Sequence, residues 1–203
     1  MGVKKTAHKT FNIWLKNLAP GTQYYWGEGT MYMVGNHLVE YFNAACDLSP
    51  EFDKADFSWE PDANKIEDYE LLVYVLQSSN ASIVKSLTKD PLGPGGSTFP
   101  TTDKGVASEI YLGPSEGDAD FARLIANLIF HEFLHNKLDA FAPPAHPVLQ
   151  DVHTQGGAGL AVESLKNSDR PTPRNLQLMA SNLGKKHSQY TGDLYRPDPY
   201  ISK

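Results

Sequence analysis

The sequence predicts an α+β fold in one domain. Three observations carry that expectation. Apolar and polar side chains alternate at Phe11-Asn12-Ile13-Trp14-Leu15-Lys16, and a period of two marks a strand with one face buried. A nearly continuous apolar run, Glu70-Leu71-Leu72-Val73-Tyr74-Val75-Leu76-Gln77, has the β-branched and aromatic content of a central strand covered on both faces. A longer pattern over 118–140 sets Phe121, Leu124, Ile125, Leu128, Ile129, Phe130, Phe133, Leu134 and Leu138 round most of a helical circumference, which describes a buried helix.

Composition sets the outer limits. The chain has 203 residues, 40% hydrophobic and 21% charged, enough for a single domain over 1–203 with a sizeable core. A net charge of −6 argues against a nucleic-acid binder, which presents a basic patch or stripe. Cys46 is the only cysteine, so neither an internal disulfide nor a thiolate metal site is expected. No apolar run reaches membrane-spanning length. The N-terminal lysines are not followed by an apolar h-region, so no classical signal peptide is expected. The expected location is the cytoplasm, or outside it by a route that needs no such signal.

The elements follow in order. After the first strand, Ala19-Pro20-Gly21 breaks the chain, and the stretch to about 30 holds Tyr24, Tyr25 and Trp26 as a hydrophobic loop. Over 31–46 the positions of Met33, Val34, Leu38, Val39, Tyr41, Phe42 and Ala45 predict a second helix, since apolar residues three and four apart line one face. Phe57-Ser58-Trp59-Glu60 suggests a short strand, and the apolar run at 70–77 is the central one. Gly, Pro, Ser and Thr dominate 91–102, so a loop is expected there. Val106 to Leu112 alternates as a strand. Ser115 and Asp118 resemble a capping box for the long helix, and Pro143-Pro144 ends it. A loop with His146, Asp151, His153 and several glycines comes next, then a short helix at 160–165 containing Glu163. Thr172-Pro173, a cap followed by proline at the first turn, opens a last helix running to about 190. Its stripe is Leu176, Met179 and Leu183, all expected to pack in the core.

Within the long helix stands His131-Glu132-Phe133-Leu134-His135. Residues four apart share a helix face, so His131 and His135 can offer two imidazoles to one metal ion. Glu132 lies roughly 100° round the axis, within reach of a water on that metal. Zinc suits such donors, because it accepts nitrogen tetrahedrally and leaves a position for water. Burial strengthens the reading, since polar groups inside an apolar helix are costly without partners.

This segment resembles the active-site helix of the zincin metallopeptidases. The resemblance implies a zincin-like domain: a twisted mixed sheet, a backing helix, and a buried active-site helix after the sheet. It also implies that His131 and His135 bind one Zn2+ per chain, that Glu132 is the general base, and that the strand before the helix is the edge that pairs with an extended peptide. The metzincin branch continues with Gly and a third His at fixed offsets. Those positions are Leu138 and Phe141 here, so a standard metzincin is not implied.

The expected function is zinc-dependent hydrolysis of peptide or protein substrates. The alternatives are a non-catalytic zincin-like metal module and a toxin or effector protease domain, the latter with an immunity or inhibitor protein as partner. Catalytic zinc takes three protein ligands. His153, just before a glycine-rich turn and beside Asp151, is the expected third, with His146, Glu163 and Asp139 as the other choices. Tyr190, Tyr195 and His187 are candidates to hold the oxyanion.

Overall fold

The computed structural model describes residues 3–17, 27–62, 65–67, 69–76, 96–101, 105–111, 119–138 and 170–185. Their elements are β1 (Lys9–Asn17), α1 (Gly27–Leu48), β2 (Phe52–Ser58), β3 (Leu71–Leu76), β4 (Gly96–Thr101), β5 (Gly105–Tyr111), α2 (Ala119–Leu138) and α3 (Pro173–Asn182). The strands form one sheet in the order β2-β1-β3-β5-β4. β1 runs parallel to β2 and β3, and β3 parallel to β5, while β4 lies antiparallel to β5. The fold is thus α+β with a mixed sheet.

The alternation in β1 sends Phe11, Ile13 and Leu15, all fully buried, to one face. Phe11 stacks on Phe42 of α1 with ring centroids 5.4 Å apart. Phe42 in turn meets Phe130 and Phe133 of α2 at 5.4 and 5.2 Å. These rings meet edge-on, the arrangement their quadrupoles favour. They join sheet, α1 and α2 in one core. In the middle strand β3, Leu72, Val73, Tyr74 and Val75 are all buried, so both faces of that strand are covered, as its apolar run predicts.

Two charged side chains are spent on architecture. Glu70, fully buried, accepts from the Asn12 amide N–H at 3.1 Å, Asn12 Nδ2 at 2.8 Å, Trp14 Nε1 at 2.6 Å and the Glu67 N–H at 3.2 Å. That bundle ties the start of β3 to β1 and helps hold the register Ile13 to Leu71. Lys5 donates to the carbonyls of Cys46, Ser49 and Phe52 at 2.7, 2.9 and 2.6 Å. It closes the C-terminal end of α1, where orphan carbonyls and the helix dipole both favour a cation.

Five expectations need correcting. The stretch 91–102 is not all loop, because 96–101 is β4. Its glycine and Pro100 disguise it, yet among the described strands β4 is an edge, and an edge strand leaves one row of backbone groups outside the ladder and so tolerates proline. The strand near 106–112 is therefore not the edge: β5 lies between β3 and β4. β2 begins at Phe52, well before Phe57, and ends at Ser58. The last helix stops at Asn182 rather than near 190. Its start is as expected, with Thr172 Oγ1 accepting from the Asn175 N–H at 3.3 Å and Pro173 in the first turn. The loop expected to about 30 is also shorter, since 27–30 already belong to α1; its remainder at 18–26 and the capping pair Ser115 and Asp118 lie outside the described residues.

Candidate functional site

Among the described side chains of α2, only Arg123 is not buried. Ala122, Leu124, Ile125, Ala126, Leu128, Ile129, Phe130, Phe133 and Leu134 are buried. Phe130 and Phe133 lock it against α1 through Phe42, and Phe130 also meets Tyr41 edge-on at 6.1 Å. Among these apolar neighbours His131 is 8% exposed and Glu132 5% exposed. A histidine and a carboxylate, adjacent in sequence, are thus drawn out of water on the same turn, as the buried-helix pattern predicts. The backbone of His135 continues the helix one turn later, which puts it on the His131 face. The imidazole of His135 lies outside the described side chains.

Two further polar residues of α2 were not anticipated from sequence. Asn127 stands one turn before His131, on the same row, and is 1% exposed. The i, i+4 spacing that pairs the histidines extends back to it, and that signal was present in the sequence. Lys137 is 3% exposed and donates to the carbonyls of Tyr69, Leu183 at 2.7 Å and Lys185 at 3.4 Å. Nothing local predicts a buried lysine, because its acceptors come from distant parts of the chain.

A charged knot joins α1, α2 and the lead-in to α3. Glu40 takes Arg123 Nη1 at 3.7 Å, Arg170 Nε at 3.5 Å and His37 Nδ1 at 3.6 Å. Arg123 also donates to the Tyr41 hydroxyl at 3.2 Å. Burial, then the nearby Arg123 guanidinium, pushes His37 below its ordinary value. Burial pushes the Tyr41 phenol up. Cys46 is buried, and burial raises its thiol to about 12. It therefore offers no thiolate at neutral pH.

Among the described residues, no three His, Cys, Asp or Glu side chains gather into a metal-binding group. The expected third ligand His153 and the other choices, Asp139, His146 and Glu163, lie outside the described residues. So do Asp151, Tyr190, Tyr195 and His187. Met179 is fully buried in the hydrophobic core, the packing role its helical stripe implies. The donor chemistry of α2 fits zinc as far as it goes: one imidazole beside a carboxylate in an apolar helix, with a second histidine one turn on. No helix among the described residues is long and apolar enough to cross a membrane.

Compared with protein-family models, curated proteins and solved structures, the chain matches none.

Proposed function

We propose that the protein is a single-domain zinc peptidase with a zincin-like fold. The observation that carries this is the burial of His131 and Glu132 side by side on α2, with His135 one turn further along the same helix. An imidazole beside a carboxylate, with a second histidine four residues on along one helix, is the donor and base set that a hydrolytic zinc site uses. Further support comes from the mixed sheet, from α2 following the sheet in sequence, and from β4 as an antiparallel edge. That edge, rather than β5, is the strand proposed to pair with an extended substrate.

When bound, zinc acidifies a water and polarises the scissile carbonyl. His131 and His135 would hold it through neutral imidazole nitrogens. Glu132 takes a proton from the attacking water and passes it to the leaving amine. The apolar wall of Phe130, Phe133 and Leu134 keeps bulk water from the back of the helix and strengthens electrostatics at Glu132. Glu132 is also what favours an enzyme over a non-catalytic metal module, since a structural site needs no base. His153 is proposed as the third ligand.

The test is metal content by plasma mass spectrometry on the wild type and on His131→Ala and His135→Ala. One zinc per chain is expected in the wild type, lost in both variants. A wild type that holds no stoichiometric zinc after reconstitution would sink the proposal. Zinc affinities of alanine variants at Asp139, His146, His153 and Glu163 identify the third ligand. A His153→Ala protein that binds as tightly as wild type removes His153.

A further inference from the structure

Lys137 is a lysine in the wrong place for a surface residue. It is 3% exposed, and burying an ammonium is costly unless every proton finds an acceptor. Here the acceptors are three backbone carbonyls. Tyr69 precedes β3, and Leu183 and Lys185 follow α3. The same ammonium sits 5.4 Å from the centre of the Phe11 ring of β1, within cation–π range. One side chain thus ties α2 to β1, to the entry of β3 and to the exit of α3. Its bonds are charge-assisted and shielded from water, which makes them strong and directional.

Where Lys137 stands on α2 gives the tie a use. It lies roughly 200° round the helix from His135 and roughly 240° from His131, on the back of the helix relative to both. Phe130 and Phe133 fix α2 by packing, which resists separation better than rotation. A roll of roughly 10° moves an atom about 6 Å from the helix axis by about 1 Å. Ligand distances at zinc hold to within about 0.2 Å. The spacing of two histidines on one helix does not change with its roll, but the place where they hold an ion relative to the rest of the site does, and an anchor on the opposite face fixes that roll.

Given the zinc site proposed above, we infer that Lys137 is a positioning residue: it sets the roll of α2, and with it where His131 and His135 hold the metal ion relative to the rest of the site. It touches neither metal nor substrate. Its carbonyl partners also couple the site to the end of α3.

The experiment compares Lys137→Met, which keeps the stem and removes the donors, with Lys137→Arg and with Gly35→Ala. Gly35→Ala is a control for lost stability away from the site, because an added Cβ would fall 2.3 Å from the Phe57 ring. Three quantities are read on the full chain: urea midpoint without metal, zinc dissociation constant by chelator competition, and the visible spectrum with cobalt in place of zinc. K137M is expected to bind zinc at least tenfold more weakly and to shift the cobalt bands. K137R is expected to show a smaller change in the same direction. G35A is expected to lose stability while keeping zinc affinity within twofold and the wild-type spectrum. Should K137M not fold, K137R is read by the same criteria. Folded lysine variants with wild-type affinity and spectrum make Lys137 a strut only and overturn the inference, while the zinc site itself stands. Failure of both variants to fold makes it a folding requirement and overturns it too. A wild type that takes up neither zinc nor cobalt overturns the site and the inference together.

Discussion

The two long helices treat their polar residues differently. α1 has a solvent side on which Gly29, Tyr32, Asn36, Glu40 and Asp47 recur at helical spacing and are exposed. Its other face carries Val34, Leu38, Phe42 and Ala45 into the core. α2 keeps no such division: of its described side chains only Arg123 escapes full burial, yet Asn127, His131, Glu132 and Lys137 are inside. A polar group facing water costs nothing, so α1 needs no special account beyond its caps. Four polar groups within one buried helix are a standing cost of several kcal/mol unless each is matched. Each of the four has a partner in the fold, so α2 keeps its polar groups inside by matching them. Lys137 shows how such a group is matched, by three carbonyls and a ring face.

The sharpest way to break this contrast is Glu132→Gln. The amide fills the same space but cannot accept the proton, so turnover of any peptide substrate should fall about 10²–10⁴-fold, the usual worth of a positioned base. Zinc content and thermal midpoint should change little. Retained turnover removes Glu132 as the base, and lost zinc assigns it to building the site instead.

Next in size is truncation of the two helices. Phe133→Ala removes a fully buried ring that packs on Phe42 and should cost about 3–5 kcal/mol in urea unfolding. Tyr32→Ala on the open side of α1, at 63% exposure, should cost no more than about 1 kcal/mol, the scale of its edge-on contact with Phe57. Equal losses at the two positions would mean that α1 is as enclosed as α2.

Glycines on α1 give a smaller effect with opposite signs. At Gly35 a new Cβ would press into the Phe57 ring at 2.3 Å, so alanine should destabilise by about 1–3 kcal/mol. At Gly29 nothing lies within 4 Å, and alanine should stabilise by about 0.5 kcal/mol through helix propensity and a stiffer unfolded chain. Thermal midpoints of the two variants should move apart. A Gly35→Ala protein as stable as wild type would mean that Phe57 yields at no cost.

The least expected change is in pH dependence. His37 faces Glu40, Arg123 and Arg170, and its value is lowered, first by burial and then by Arg123. The unfolded chain therefore binds the proton more readily than the folded one. The stability this contributes is present above the ordinary histidine value near 6.5 and is lost as pH falls through the lower folded value. His37→Gln should flatten that part of the stability profile below pH 6.5. An unchanged slope in the variant would assign the acid loss to other groups.

Much of this was legible in the sequence, for a local reason. Period two in β1, the unbroken apolar run of β3, and the 3.6-residue stripes of α1 and α2 are properties of neighbouring residues, and burial demands them wherever the segment ends up. The same holds for the Thr172-Pro173 start of α3 and for His131, Glu132 and His135 sharing one helix. β4 was lost to its own composition: Gly96, Ser97, Pro100 and Thr101 look like a loop until β5 supplies the ladder. Which strand is the edge is not written in either strand, since it depends on what pairs beyond it. The tertiary structure alone also decided that Glu70 and Lys137 are inside. Glu70 is satisfied by Asn12 and Trp14, 58 and 56 residues away, and Lys137 by Tyr69 and Leu183, 68 and 46 residues away. A local pattern reports the face a segment must bury, whereas a buried charge is set by partners that only folding brings within hydrogen-bonding distance.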